Sequence, residues 1–332
     1  MSDYVNYLQM FAHSVEKLLI WNINLKTKDC NNIIHFPNLT QFNIDNVSVL
    51  TLLPFVRRHH RLTSLDIGDI KDECGVLGKN VVYNILEKNK SITRLTLSAK
   101  LINDLFANDI SDAFQFKLEQ LNFFSALRTK YVEKFLISHG ETLKQVTIMI
   151  MGDVITRKMM KREKDFSLIF NIWGDMKVLK KLYLVLIRFK EVFRFNKKMV
   201  KSLNLKPNYG ITEVAVQADN SDMRFSLSYL TAIMVLCPNT EFFRTEYLNK
   251  TILRFLVKNM KKLKIIKCDH MRFGCVDLFS ELKHNNPDIH PDLDLDGIEN
   301  TQEEDTDDED DVDTDDEPPI NLQVQLENLN IN

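Results

Sequence analysis

Residues 92–97 read ITRLTL, and residues 118–123 read LEQLNF. Both place apolar side chains at the first, fourth and sixth positions, with polar residues between the last two. The same spacing recurs at Val15, Leu18, Ile20, at Leu39, Phe42, Ile44, and at Leu62, Leu65, Ile67. It continues at Leu143, Val146, Ile148, at Leu179, Leu182, Leu184, at Ile211, Val214, Val216, and at Leu263, Ile266, Cys268. A degenerate copy, TEFFRT, lies at Thr240–Thr245. First positions are therefore 15, 39, 62, 92, 118, 143, 179, 211, 240 and 263, separated by 23 to 36 residues. The alternating x-L-x-L core of each copy has the period of a short strand with one buried face.

Between the copies the period changes to that of a helix. Val132, Phe135 and Leu136 stand at i, i+3, i+4, and Leu248, Ile252, Phe255 and Leu256 at i, i+4, i+7, i+8. Strand then helix, repeating every 20–29 residues or so, is the signature of leucine-rich repeats. Three spacings, of 30, 36 and 32 residues, exceed that range and read as longer convex segments or insertions. An ordinary α/β domain with Leu-rich strands is the alternative, and nine registered copies argue against it. The expected fold is an α/β leucine-rich repeat solenoid, or horseshoe, of about ten irregular strand–helix units over residues 1–296. A disordered acidic tail is expected over 297–332.

One such unit cannot bury its own apolar face; stacked units share a continuous core, and their strands line a concave surface. Residues between the apolar strand positions face that surface. The candidates for contact with a partner are Trp21, Asn43, Asp66, Arg94, Asn122, Tyr183, Arg244 and Lys267.

The 332 residues carry a net charge of −3, which hides an asymmetry. From Glu299 onward there are 14 acidic and no basic residues, leaving 32 acidic against 43 basic residues in 1–298, a net of +11. Residues 303–317 read EEDTDDEDDVDTDDE, in which Glu303, Glu304, Asp305, Asp307, Asp308, Glu309, Asp310 and Asp311 open a run too charged to pack. Basic proteins are its expected partners. Basic patches at 157–164 and 188–201 are candidate surfaces for the tail itself, and the first, without interleaved aromatics, reads as a charged helix face rather than a nucleic-acid groove. Thr301, Thr306 and Thr314 each have an acidic residue three positions on, a context for phosphorylation that would add further charge. The last stretch, 318–332, alternates at Ile320, Leu322, Val324 and Leu326, as an added strand or docking peptide would, but is expected to be disordered with the rest of the tail.

No apolar run approaches the ~18 residues of a membrane span, and Met1–Leu19 lacks the pattern of a signal peptide. Five scattered cysteines suit a reducing compartment, so the chain is expected to be intracellular, cytoplasmic or nuclear. No phosphate loop, nucleophile elbow, zinc-protease motif or C-x-x-C occurs, and neither a catalytic residue nor a cofactor is expected. Asp292, Asp294, Asp296, Gly297 and Glu303 match a calcium-loop pattern, but Pro291 and the acidic flank argue against it. Cys268, His270, Cys275 and His284 match no common zinc spacing. His59 and His60 read as the solvated end of a convex helix. No metal site is expected.

Several helices lead into the next strand through a polar hinge, as in YNILEKNKSITRLTL (83–97), VEKFLISHGETLKQVTI (132–148) and LRFLVKNMKKLKIIKC (253–268). With the opening YLQMFAHSVEKLLIW (7–21), these resemble the repeat region of F-box/leucine-rich repeat proteins, especially the divergent insect type, over about residues 4–290. The resemblance implies that the repeats select a substrate for a cullin ubiquitin ligase. In that family a separate F-box docks on the Skp adaptor. No Leu-Pro-led F-box is recognisable before the first repeat, whose helix is expected to start near Tyr4. A truncated gene model, a lost F-box or a partner covering the first unit are the readings of that departure. In layout, repeats followed by an acidic tail also resemble the acidic leucine-rich nuclear phosphoproteins, which implies binding of histones.

Overall fold

The computed structural model describes residues 10–21, 35–45, 47–48, 59–68, 70–71, 76–98, 101, 116–124, 130–151, 172–187, 205–218, 227–271, 275, 278 and 290–293. The chain divides into two units, Met1–Glu299 and Asn300–Asn332, and every described residue belongs to the first.

The first unit is built on one parallel sheet. Its strands in spatial order are β1 (Lys17–Trp21), β2 (Gln41–Asp45), β4 (Ser64–Ile67), β6 (Arg94–Ser98), β7 (Gln120–Phe124), β8 (Gln145–Met151), β9 (Lys181–Ile187), β10 (Glu213–Ala218), β11 (Phe242–Leu248), β12 (Ile265–Met271) and β13 (His290–Leu293). Spatial order follows chain order throughout. The two remaining strands, β3 (Val47–Ser48) and β5 (Ile70–Lys71), pair with each other just beyond β2 and β4. The described helices are α1 (Val76–Lys88), α2 (Lys130–Ser138), α3 (Leu227–Leu236) and α4 (Lys250–Asn259), with a 3-10 turn at Trp173–Asp175. This is a leucine-rich repeat solenoid.

Three ladders of apolar side chains run through the core, one for each apolar position of the repeat. The middle ladder passes in register through Phe42, Leu65, Leu95, Leu121, Val146, Leu182, Val214, Phe243 and Ile266, none more than 3% exposed. At the three apolar positions of the first repeat, Val15 and Leu18 are only half-buried and Ile20 is buried. The degenerate copy is a full member of the stack. Thr240 replaces the first leucine and is buried, because its hydroxyl donates to the Cys237 carbonyl at 2.8 Å. A satisfied hydroxyl removes most of the penalty of burying it.

Backbone hydrogen bonds tie each unit to the one before. The carbonyl of the second repeat position accepts two amides from the next unit, those of its second and third positions. The accepting carbonyls are Glu16, Thr40, Thr63, Thr93, Glu119, Lys144, Lys180, Thr212 and Glu241, at 2.8–3.1 Å. These ties follow the spacing read from the sequence, whatever the length of chain between them.

Three residues before the first position, polar side chains reach back to the preceding unit. Asn89 is buried, donates to the Ile85 carbonyl at 2.8 Å and accepts the Leu62 amide at 3.0 Å. His59 occupies the equivalent place. It is buried and its Nε2 accepts the Phe36 amide at 3.1 Å, which corrects the expectation of a solvated helix end; His60 alone is exposed. The buried amide needs an acceptor, and the imidazole supplies it.

The helices pack through the stripes their sequences present. Phe135 and Leu136 of α2 are buried, as are Ile252, Leu253 and Leu256 of α4. Asn249 caps α4 by accepting the Ile252 amide at 2.8 Å. Leu248, expected to begin that helical stripe, is instead the buried last residue of β11. The strand simply runs further than its six-residue motif.

The 3-10 turn makes a close approach to the next unit. A Cβ on Gly174 would lie 2.5 Å from Lys206 Cβ and 2.7 Å from its carbonyl oxygen. Backbone cannot yield as a flexible side chain does. Gly174→Ala is expected to destabilise the fold by about 1–3 kcal/mol in a urea titration, the usual cost of overpacking.

β13 was not anticipated. It adds an eleventh strand and sets Asp292 in register with Lys267. The first aspartate of the calcium-loop pattern therefore sits in a strand rather than in a loop; Asp294, Asp296, Gly297 and Glu303 lie outside the described residues.

Candidate functional site

Alternation leaves two rows of side chains on the exposed sheet face, and longer strands add a third. The first row passes through Gln41, Ser64, Arg94, Gln120, Gln145, Lys181, Glu213, Phe242 and Ile265. The second passes through Asn43, Asp66, Thr96, Asn122, Thr147, Tyr183, Ala215, Arg244 and Lys267. Seven of the eight candidate residues fall on these rows, with Arg94 on the first. Trp21 ends β1 in register with Asp45 of β2, two positions beyond the second row.

The rows are not loose arrays of solvated side chains. At the β2 end, Asn43 Nδ2 donates to Asp66 Oδ2 at 3.1 Å, and Asn122 Nδ2 donates to Thr96 Oγ1 at 3.3 Å. Asp66 also bonds the Thr96 side chain, so Asn43, Asp66, Thr96 and Asn122 form one polar chain across four strands. Burial raises the Asp66 carboxyl above its ordinary value, the nearby Asp45 charge raises it further, and the Thr96 bond opposes both.

At the other end the residues are charged. Lys181 Nζ and Glu213 Oε2 are 2.5 Å apart, and the Tyr183 hydroxyl donates to Glu213 Oε1. Burial pushes the Tyr183 phenol up, and the Glu213 carboxylate pushes it further; Arg244 pulls the other way. The residue between Tyr183 and Arg244 is Ala215, which leaves their side chains room to approach. Arg244 Nη2 binds both oxygens of Asp269, at 3.2 and 3.1 Å, and Gln217 Nε2 reaches Asp269 Oδ2 at 3.5 Å. Tyr183 and Arg244 are thus each held by a neighbour before any partner arrives.

Asp45, Gln217 and Asp269, all on the third row, were missed by the sequence reading. Their signal was present: in EVAVQA and IIKCDHM the alternation continues past the sixth position. Cys268 and Cys275 are buried, and their thiols donate to the carbonyls of Glu246 and Leu248. Among the described residues, no group of three or more His, Cys, Asp or Glu could hold a metal ion. Among the same residues, no helix is long and apolar enough to cross a membrane. The acidic run Glu303–Asp311, Thr301, Thr306, Thr314 and the basic patches at 157–164 and 188–201 lie outside the described residues.

No protein-family model matches the chain, and no curated protein matches it. Among solved structures it is similar to the leucine-rich repeat-containing protein LegL7 from Legionella pneumophila. The identity is 16% and the TM-score 0.38, over 70% of this chain and 93% of that one. The fold assignment rests on the ladders and backbone ties described above.

Proposed function

We propose that this chain is a protein-recognition module that binds its partner on the exposed, concave face of the sheet. The observation that supports this reading most directly is the pair of in-register rows, in which Tyr183 and Arg244 are already fixed by Glu213 and Asp269. Side chains ordered in advance lose less entropy on binding, and Tyr and Arg are the residue types that dominate interface energetics. The finer reading, by resemblance in sequence, is substrate recognition for a cullin ubiquitin ligase. The alternative places binding in the acidic run from Glu303 to Asp311, with histones or other basic nuclear proteins as its partners.

Affinity purification with mass spectrometry separates these readings. The bait is the full chain, the Tyr183→Ala/Arg244→Glu double variant, or the chain lacking 299–332, each at low and moderate salt. The expected outcome is a partner set lost from the double variant and kept by the deletion. Skp adaptor and cullin recovered at both salts would support the ligase reading. Basic proteins lost on deletion and at moderate salt would move the function to the tail, because exposed charge pairs are screened.

A further inference from the structure

The third row changes character at its centre. Ser98, Phe124, Met149, Val185 and Gln217 are consecutive in register, so three apolar side chains stand side by side between polar neighbours. All three are half-buried, and Tyr183 lies two residues before Val185 on the same face. An apolar strip with a polar rim on a binding face is the pattern of an interface centre.

The charge on the face indicates what accompanies it. Glu213 and Asp269 are each paired with a cation, from Lys181 and Arg244 respectively. Asp66 differs. Its partners among the described residues are the neutral donors of Asn43 and Thr96, and a second carboxylate, Asp45, stands close by. The group that complements this end of the face is a cation.

Asp66 is in register with Thr147 three strand steps away, and Met149 lies two residues further along β8, which places it about 16 Å from Asp66 at ordinary strand dimensions. An extended chain covers that distance in about four to five residues. We infer that the face receives an extended segment of a partner protein, with one apolar side chain on Phe124, Met149 and Val185 and a lysine or arginine at Asp66, about four to five residues away. This rests on the concave-face reading and gives that reading a partner chemistry.

The test is selection of a random dodecapeptide display library on the full-length protein, followed by titration of the selected peptides. Selected peptides are expected to carry Lys or Arg and a large apolar residue, in either order, about three to five residues apart. Asp66→Asn is expected to weaken them about tenfold, and that loss should vanish when the peptide's base is replaced by Gln. Met149→Gln should abolish binding while the melting curve stays cooperative; if that variant does not fold, Val185→Thr takes its place. Peptides sensitive to Met149 or Val185 but lacking the spaced base would overturn this inference and leave the concave reading standing. Peptides insensitive to every variant on the face would overturn both. A library yielding no binder would overturn the inference, while the partner set in the purification still decides the broader reading.

Discussion

Between pH 6.5 and pH 4 the fold is expected to lose about 3 kcal/mol through His139, and His139→Phe should remove that loss. His139 is buried at the end of α2, stacked on Phe116 at 5.4 Å and edge-on to Phe135 at 4.8 Å. Burial among these rings lowers its pKa from 6.5 to about 4. The unfolded chain therefore binds the proton first. Stability conferred by the neutral ring is complete above about pH 6.5 and falls as pH drops toward the folded value. Urea titrations of both proteins across this range, compared as a difference, isolate the residue from the carboxylates. His139→Leu serves if the larger ring does not fit. Equal pH slopes in wild type and variant would show that the imidazole is not held neutral.

Asn208→Asp is expected to cost about 3–5 kcal/mol at neutral pH, the range for stranding a buried charge. Asn208 is 5% exposed and joins three stretches of chain. Its Nδ2 donates to the carbonyls of Trp173 at 2.6 Å and Met176 at 2.9 Å, while its Oδ1 accepts the Gly210 amide at 2.8 Å. Its own amide donates to Leu236 O at 2.7 Å. Aspartate has the same shape but turns an oxygen toward two carbonyl oxygens. Burial and those oxygens would raise the folded-state pKa of the new carboxyl above its ordinary value of about 3.9. Below that value both states are protonated and the charge penalty is absent, leaving only the carbonyl that a single O–H cannot reach. The charge penalty grows as pH rises toward the raised value. Acid should therefore narrow the gap between Asn208→Asp and the wild type, which carry the same His139 loss, and one set of titrations compared as a difference will show it. A variant as stable as wild type at pH 7 would mean that the stitch is dispensable.

The core was legible because each unit spells it three times over. Leu95, Leu121 and Val146 are buried in register for the reason their spacing indicates: three apolar residues per unit have one face on which to meet. The outward rows were legible by the same alternation, since Asn43, Tyr183 and Arg244 lie between buried residues. What depends on a neighbouring unit was not legible. A strand lengthens only if the next strand continues beside it, so Asp269 and Gln217 fell beyond the motif, and Leu248 looked helical. His59 is buried because the amide of Phe36, 23 residues earlier, needs an acceptor. Nothing near His59 in sequence states that need. β13 has the single leucine of HPDL where the other strands of that sheet have two or more apolar residues, too little to register as a copy.

The backbone ties carry one more consequence. Each fixes the offset between adjacent strands without reference to the chain that connects them, and those connections vary enough to separate first positions by 23 to 36 residues. The two sides of the molecule can therefore change at different rates. Residues can be added to or removed from an outer arc without shifting the neighbouring rungs of the binding face. Foreign sequence inserted there, such as a tag or a fluorophore site, would leave the spacing between Asp66, Met149 and Arg244 as it is. In manufacturing terms, the face is built to a gauge and the back is not.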